Sequence, residues 1–338
     1  MIWNLSNIGT TAASSSKYTI YVANTFSVTT IDYITHATNT ISMPGGCNPS
    51  GVALSLDGRK LYVGGQSSNV IYVINTKSNN IIKTISITEP TIFNLRMSPN
   101  GKLYVLCSGG NIVVINTITD AIIKTILLTG KSWDIAFSTF NGLAYATGGS
   151  NADVYAINYT TDDSLFNTYA NASNCGIVID PISYTYRSSH PKAGEVYFGI
   201  AANAVYAYNT YNGSTNTAWD NQAIYTTGAA NGNIGTYPQG LAISPDGNSV
   251  YIANVGSSDI TTLYPTASTT SVKTSLSTYL GTANDPFAVF LTSDGLYLYI
   301  GNPNTATVQI MDTISKTIIT TIPITYQPGF ITGGYIPN

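Results

Sequence analysis

The sequence predicts an all-β protein: a seven-bladed β-propeller of four-stranded antiparallel blades, closed by a C-terminal strand that completes the first blade. Three observations lead to this prediction. A unit of about 42 residues recurs along nearly the whole chain. Each clear copy has an Asx-Gly turn between two apolar runs, and the start of one further unit stands alone near the C-terminal end. Together they indicate a ring of similar blades.

The repeat unit is clearest at residues 49–65, 238–254 and 286–302. Each copy reads as an apolar run, a turn and a Tyr-rich run, followed by a polar loop and two further strands. The turns are Asp57-Gly58, Asn100-Gly101, Asn141-Gly142, Asp246-Gly247 and Asp294-Gly295. Asx-Gly pairs supply the positive φ angles that hairpins need, and the flanking β-branched and aromatic residues favour strands. The unit is therefore expected to be a four-stranded meander.

The first blade is divided between the two ends of the chain. Residues 18–24 match the second strand of a unit without an inner strand before them, whereas residues 327–331 open like an inner strand with nothing after them. We therefore expect residues 327–336 to form the inner strand of the first blade, which removes the sheet edges that an open ring would leave. The chain then has two parts, an N-terminal arm at 1–17 and the propeller at 18–338.

The fifth blade is the most degenerate copy. Its inner strand is expected at 175–180, its second strand at 195–200 and its third at 204–208. The extra length falls in two insertions, 182–193 and 212–237, the second of which carries Trp219. Insertions in such repeats lie in loops on one face, so these two segments are either neutral or recognition loops.

Composition narrows the classes of partner. Only 9% of residues are charged and the net charge is −3, so the chain lacks the clustered Lys and Arg that nucleic-acid binding needs. No apolar run approaches the roughly 18 residues of a membrane-spanning helix. We expect no nucleic-acid binding and no membrane insertion.

The charge-poor surface, rich in Asn, Thr and Tyr, also indicates where the protein is located. It suits a virion or an extracellular, cell-surface setting, and residues 1–17 show no standard signal peptide. A virion component satisfies both observations. A cytoplasmic propeller of unusual composition is the alternative.

Residues suited to catalysis or metal binding are few. Cys47, Cys107 and Cys175 form no CxxC pattern, and the two histidines, His36 and His190, fall in separate loops. Most acidic residues occupy turns, where a carboxylate bonds to its own backbone. The sequence predicts no catalytic residue, no metal site and no cofactor.

Three second-strand segments resemble the signature of the YVTN family of β-propellers. They are Tyr21-Val22-Ala23-Asn24, Tyr251-Ile252-Ala253-Asn254 and Tyr299-Ile300-Gly301-Asn302. The Ser-Pro-Asp-Gly sequence at 244–247 also fits, and the resemblance extends over residues 18–336. It implies a rigid disc of a surface-associated or secreted microbial protein that works in binding or scaffolding. Similar propellers also occur in lactonases and in redox enzymes with cofactors, so the fold alone implies no reaction.

Alignment of the inner strands brings five side chains to one mouth of the expected channel. Phe93, Trp133 and Phe287 offer aromatic faces to a sugar ring or a peptide, and Asp134 and Gln239 offer hydrogen bonds. These five form the predicted ligand-binding site. Packing between blades is the competing interpretation.

Arg96 stands where the equivalent inner-strand positions hold apolar residues. A charge in such a place requires a partner, and Asp134 in the adjacent blade is the expected one. The alternative is an anion-binding point in the channel.

The arm carries four large apolar residues, Ile2, Trp3, Leu5 and Ile8, ahead of a Thr-, Ala- and Ser-rich stretch at 10–16. The apolar residues would be poorly hydrated if free, and the small residues suit a flexible tether. We predict that the four bind a protein partner or another copy of the chain. Docking on the arm's own disc and a disordered terminus are the alternatives.

The predicted function is a non-catalytic, exposed module with a structural, adhesion or interaction role, which binds protein or possibly glycan through its loop faces. The alternative is a lactonase-like hydrolase with a site at the mouth of the central channel. The shortage of His, Arg and clustered carboxylates argues against the hydrolase.

Overall fold

The computed structural model describes residues 16–89, 91–128, 132–139, 141–148, 153–169, 176–179, 181, 195–200, 204–209, 221–226, 234–264 and 275–337. Within these ranges the chain forms 28 β-strands in seven four-stranded antiparallel sheets and no helix. Each sheet is one blade of a closed ring. The predicted fold class, a seven-bladed β-propeller closed by a C-terminal strand, is confirmed.

Blades 1 to 4 account for the first half of the chain and its last strand. Blade 1 comprises β1 (Lys17–Asn24), β2 (Ser27–Asp32), β3 (Thr38–Ser42) and, as its inner strand, β28 (Pro328–Ile336). Blade 2 comprises β4 (Pro49–Leu54), β5 (Lys60–Gly65), β6 (Val70–Asn75) and β7 (Asn80–Ser86). Blade 3 comprises β8 (Ile92–Met97), β9 (Lys102–Cys107), β10 (Ile112–Asn116) and β11 (Ala121–Ile126). Blade 4 comprises β12 (Ser132–Phe137), β13 (Leu143–Gly148), β14 (Asp153–Asn158) and β15 (Asp163–Tyr169).

Blades 5 to 7 complete the ring, and in every blade except the first the strands pair in chain order from the inside outwards. Blade 5 comprises β16 (Ile177–Ile179), β17 (Glu195–Ile200), β18 (Ala204–Asn209) and β19 (Asn221–Thr226). Blade 6 comprises β20 (Pro238–Ile243), β21 (Val250–Asn254), β22 (Asp259–Leu263) and β23 (Ser275–Tyr279). Blade 7 comprises β24 (Ala288–Leu291), β25 (Tyr297–Asn302), β26 (Thr307–Asp312) and β27 (Thr317–Pro323).

The closing strand lies where the sequence predicts it. β28 pairs antiparallel with β1, in a register that runs from Lys17 opposite Ile336 to Asn24 opposite Pro328. The β1 side chains after Lys17 are buried, which is the pattern of a strand covered on both faces by neighbouring blades. The two ends of the described chain are therefore joined within one sheet.

Blade 5 confirms three predicted strands and corrects one expectation. Its inner, second and third strands fall within or close to the predicted positions. The segment 212–237, expected to be an inserted loop, instead contains the outer strand β19, which pairs with β18. In the clear repeat units the Asx-Gly turn precedes the second strand and not the outer one, so no motif locates the start of β19. The other expected insertion, 182–193, and Trp219 lie outside the described residues.

The hydrophobic core lies between the blades. Seven clusters of buried residues each combine side chains of two neighbouring blades, and the cluster between blades 7 and 1 closes the circle. A tyrosine of the second strand, at most 2% exposed, contributes to the packing of every blade: Tyr21, Tyr62, Tyr104, Tyr145, Tyr197, Tyr251 and Tyr299. A large aromatic residue buries much apolar area while its hydroxyl reaches the edge of the blade.

Some of these tyrosines also connect neighbouring blades by polar contacts. The Tyr62 hydroxyl donates to Asp120 Oδ1 at 2.6 Å, and Lys60 Nζ donates to Asp120 Oδ2 at 2.8 Å, so blade 2 holds the outer turn of blade 3. Burial and the Asp120 carboxylate both raise the pKa of Tyr62, which keeps its hydroxyl protonated as a donor. Tyr104 and Lys102 hold Asp162 of blade 4 in the same way.

The two flat faces of the disc differ in their connections. The Asx-Gly turns between first and second strands, and the turns between third and fourth strands, lie on one side, which we name the turn face. The inner strands begin on the opposite side, which we name the mouth face. No helix among the described residues is long and apolar enough to span a membrane.

Candidate functional site

The structure brings the five predicted site residues together at the centre of the mouth face. Phe93, Trp133 and Gln239 lie at the second position of β8, β12 and β20, and Phe287 immediately precedes β24. All but Phe93 line one shallow hollow, and Phe93 packs on Trp133. The predicted grouping is thus observed, while ligand binding by these residues stays a prediction.

Four aromatic rings form a row across the channel axis. The ring centroids of Phe93 and Trp133 are 5.0 Å apart, those of Trp133 and Phe287 are 6.3 Å apart, and those of Phe287 and Phe330 are 5.7 Å apart. The rings belong to blades 3, 4, 7 and 1, so the row reaches from one side of the ring to the other. All four side chains are partly exposed. We name this row the aromatic floor of the mouth.

Glycines let the inner strands approach closely beneath the rings. A Cβ placed on Gly240 would lie 2.7 Å from Phe287 O, and one placed on Gly176 would lie 2.9 Å from Gln239 O. The Gly176 N–H donates to Gln239 O at 2.6 Å across the boundary between blades 5 and 6. The channel is therefore narrow at this level.

Arg96 and Asp134 form the ion pair that the sequence predicts. Arg96 Nε donates to Asp134 Oδ1 at 2.7 Å and Arg96 Nη2 donates to Oδ2 at 2.9 Å, a two-pronged contact between blades 3 and 4. The Asp134 side chain is 2% exposed, whereas that of Arg96 is 30% exposed and lies 5.9 Å from the Phe330 ring centroid. Burial disfavours the charged guanidinium, but the Asp134 carboxylate outweighs this effect and raises the pKa of Arg96.

Asp134 has little capacity left for a ligand. Its Oδ1 also accepts from Asn94 Nδ2 at 2.9 Å and from the Ile135 N–H at 3.0 Å. With Arg96 bound to both oxygens, this carboxylate fixes the inner strands, while Asp134 also lines the hollow. The structure thus places Asp134 at the mouth as predicted, but engaged with the protein.

Gln239 is different, because its side chain is partly exposed and forms no hydrogen bond within the described part of the chain. An amide offers both donors and an acceptor. Gln239 is therefore the polar group at the mouth that is best placed to contact a ligand.

Phe330 is a lining residue that the sequence interpretation missed. It lies on the closing strand β28 and contacts both Phe287 and the Arg96 guanidinium. The signal was present, since Pro328 aligns with Pro49 and Pro238 at the start of other inner strands. Extending that alignment by two residues brings Phe330 to the mouth.

The hollow offers little for catalysis. Its described lining residues are Arg96, Trp133, Asp134, Gly176, Gln239, Gly240, Leu241, Phe287, Ala288, Val289 and Phe330. Among these, the charged groups are Arg96 and Asp134, which neutralise each other, and the set contains no nucleophile beside a base. The described residues include no group of three or more His, Cys, Asp or Glu side chains that could hold a metal ion.

The described cysteines, Cys47 and Cys107, and His36 do not line the hollow. Cys47 and Cys107 are buried free thiols, and burial raises the pKa of both, that of Cys47 to about 11. His36 lies in the outer turn of blade 1 with a φ of 56°. The predicted partner-binding residues Ile2, Trp3, Leu5 and Ile8 lie outside the described residues, as do Cys175 and His190.

The fold and this mouth define a seven-bladed β-propeller, and comparisons with solved structures agree. A Kuenenia stuttgartiensis hydrazine synthase chain is 19% identical, with a TM-score of 0.71 over 92% of this chain and 99% of that one. A candidate 6-phosphogluconolactonase of Bacteroides fragilis is 14% identical, with a TM-score of 0.71 over 96% and 99%. A chain of a mitotic checkpoint complex is 13% identical, with a TM-score of 0.67 over 84% and 81%.

These likenesses show the fold alone, because propellers of one architecture serve many functions. No family profile matches the chain. No curated protein matches it either. The similarity to the YVTN family therefore remains a resemblance in the second strands.

Proposed function

We propose that this propeller is a non-catalytic binding module that holds a sugar ring or a peptide side chain on the aromatic floor of its mouth face. One observation carries the proposal. Phe93, Trp133, Phe287 and Phe330 form a partly exposed aromatic row beside the amide of Gln239. Aromatic faces with a few polar groups are typical of sites for sugars and peptide side chains.

The proposed setting is exposed, as a structural or adhesion component of a virion or of a cell surface, where the partner is a protein, another copy of the chain or a glycan. The low content of charged residues supports it, because such a surface has a weak long-range field and relies on short-range contacts. Membership of the YVTN family is part of the same proposal and is supported by the three second-strand signatures.

The hydrolase alternative has less support at this mouth. A lactonase would need a base or a metal-bound water aimed at the substrate. Asp134 accepts hydrogen bonds from Arg96, Asn94 and a backbone N–H, so it is poorly placed to accept a proton from water.

Binding to glycan and peptide arrays tests the proposal, followed by titration calorimetry with the selected ligand. Gln239→Ala should weaken binding about fivefold, since one hydrogen bond contributes about 1 kcal/mol. Phe287→Ala should abolish most of the binding by removing the stacking surface. Phe26→Ala is the matched control, because Phe26 is 57% exposed in a second-to-third strand turn on the same face, outside the hollow.

Equal affinity of the wild type and both mouth variants would reject the mouth as the site. Hydrolysis of lactone substrates that is lost in Asp134→Asn, with the fold retained, would reject the non-catalytic assignment and favour the alternative.

A further inference from the structure

The turn face carries an exposed apolar patch where blades 7 and 1 meet. It consists of four side chains, which we name the turn-face patch: Ile34 (84% exposed), Ile314 (79%), Tyr335 (61%) and Leu296 (41%). On a surface with so few charges, a cluster of large apolar side chains marks a contact site.

Hydrogen bonds keep three members of the patch close together. The Tyr33 hydroxyl donates to Asp294 Oδ2 at 2.5 Å, which holds the outer turn of blade 1, with Ile34, against the inner turn of blade 7, with Leu296. Within blade 7, the Thr313 N–H donates to Leu296 O at 3.0 Å, so Ile314 lies beside Leu296.

Aromatic contacts add the fourth member. The Tyr335 ring packs edge-on against Tyr18, with centroids 4.9 Å apart, and Tyr18 in turn packs on Tyr33 at 5.1 Å. Tyr33 directly precedes Ile34 in the chain. The patch is therefore one continuous surface on neighbouring turns.

The arm leaves the disc between two members of this patch. Lys17 begins β1 on the turn face, opposite Ile336 and next to Tyr335 in the register of β28. Lys17 Nζ also lies 3.0 Å from Asp32 Oδ2, and Asp32 Oδ1 accepts from the Ile34 N–H at 3.0 Å. The chain that precedes Lys17 thus starts beside Ile34 and Tyr335.

The chemistry and length of that preceding chain match the patch. Residues 1–15 contain no charged side chain, and their large apolar residues are Ile2, Trp3, Leu5 and Ile8. The eight residues from Gly9 to Ser16 extend up to about 27 Å, which is enough to place the apolar end over the patch. A tether of this length gives an effective concentration on the order of millimolar, which favours the arm's own disc over a second copy.

We infer that residues 2–8 bind the turn-face patch of their own disc and cover it. The arm then covers the part of the turn face where blades 7 and 1 meet, and the mouth face stays available to a ligand. The turn-face patch of blades 7 and 1 is accordingly the surface that binds Ile2, Trp3, Leu5 and Ile8. This inference does not depend on which ligand the mouth binds.

Trp3 fluorescence in the full chain tests this inference. In a Trp133→Phe, Trp219→Phe background, Trp3 is the remaining tryptophan. Its emission should be blue-shifted and protected from acrylamide relative to the urea-unfolded chain, and both properties should persist on dilution. Ile34→Asn and Ile314→Asn should each move emission and quenching towards the unfolded values.

Ile118→Asn is the matched control. Ile118 is 89% exposed and occupies the same position in the equivalent outer turn of blade 3, outside the patch. All three substitutions are at exposed positions, so the fold should be retained, as circular dichroism can check. Emission and quenching of Trp3 equal to those of the unfolded chain would overturn the inference. So would equal responses of all three variants, or protection that disappears on dilution together with a dimer seen by light scattering.

Discussion

At the scale of single residues, the contact between Arg96 and Asp134 shows how a charged side chain is accommodated among the apolar inner strands of the propeller. The guanidinium meets the carboxylate with two hydrogen bonds, and Asn94 adds a third from the same blade. Because Asp134 is 2% exposed, it cannot recover its hydration if the guanidinium is removed. The pair therefore fixes the relative position of β8 and β12 under the aromatic floor.

Arg96→Ala should lower the free energy of unfolding by about 3 kcal/mol, because it leaves a buried carboxylate with a single side-chain partner. The double variant Arg96→Met, Asp134→Leu should recover most of that loss, since replacing a buried ion pair by apolar residues is often neutral. Urea denaturation of the wild type, Arg96→Met, Asp134→Leu and the double variant measures the coupling. Additive losses would show that the two residues act independently, contrary to the geometry.

The asparagine that ends the three YVTN-like segments also has a local role. Asn254 Nδ2 donates to Thr261 Oγ1 at 2.9 Å, and Asn302 Nδ2 donates to Gln309 Oε1 at 3.2 Å. Both asparagines are fully buried. Each amide therefore joins the second strand to the third just before the hairpin turn, which explains why an amide suits this position.

At the scale of elements, the turns of the turn face follow two recurring patterns. In the inner turn, a Ser or Thr hydroxyl donates to the Asx side chain two residues later, as Ser55 does to Asp57 at 2.7 Å and Ser244 to Asp246 at 2.6 Å. In the outer turn, an Asp or Asn oxygen accepts from two following N–H groups in blades 1, 2, 3, 4 and 7. Such Asx turns offset the loss of ladder hydrogen bonds where strands end.

Acid should weaken the inner turns. Partial burial raises the pKa of Asp57, Asp246 and Asp294, but hydrogen bonds from hydroxyl and N–H groups outweigh it, so each pKa lies below the ordinary value of 3.8. A carboxylate whose pKa is lower in the folded protein than in the unfolded chain stabilises the fold at pH values above the unfolded-state pKa. That stabilisation is lost as the pH falls through the folded-state pKa. The melting temperature should therefore drop as the pH decreases below about 4.

Blade 3 shows which substitution of the turn aspartates can test this acid sensitivity. Its inner turn has Asn100 at the same position, and Ser98 Oγ bonds to Asn100 Oδ1 at 2.6 Å, so an amide keeps the geometry without titrating. The triple variant Asp57→Asn, Asp246→Asn, Asp294→Asn should lose less stability than the wild type between pH 5 and pH 2. Parallel melting curves for the two proteins would contradict the assignment of the acid transition to these turns.

Alanine substitutions at two turn glycines separate the cost of backbone strain from the cost of a clash with the closing strand β28. Gly58 and Gly142 have φ angles of 70° and 72°, so alanine at either position costs about 1–2 kcal/mol of strain. A Cβ on Gly58 would also lie 2.0 Å from Tyr335 O of β28, whereas one on Gly142 would lie 3.6 Å or more from its neighbours. Gly58→Ala should therefore destabilise the protein by at least 1 kcal/mol more than Gly142→Ala in urea denaturation. Equal losses would mean that Gly58 does not press on β28.

At the scale of the whole molecule, the repeat made the ring predictable. Five of the seven units show an Asx-Gly turn before a Tyr-containing second strand, and the missing inner strand of blade 1 pointed to β28. The outer strand β19 was not predicted because it lacks these signals. The five mouth residues were predicted because equivalent positions of inner strands must converge on the axis.

The contacts within the mouth were less predictable. Trp133 reaches Phe287, three blades away in the ring, and Phe330 joins them from the closing strand. Such contacts depend on how far each side chain projects over the axis, which strand alignment does not determine. The hydrogen bond from Asn94 to Asp134 likewise depends on the distance between β8 and β12, which strand alignment does not determine.

β28 closes the ring and thereby completes the mouth with Phe330. Native-state hydrogen exchange can test this closure, because a strand that locks a ring exchanges only when the whole ring opens. We predict that β28 amides paired with β1 exchange as slowly as those of β4 and β8, and in the same denaturant-dependent global step. Fast exchange of β28 while the other inner strands stay protected would show that the strand is detachable and would contradict the closure.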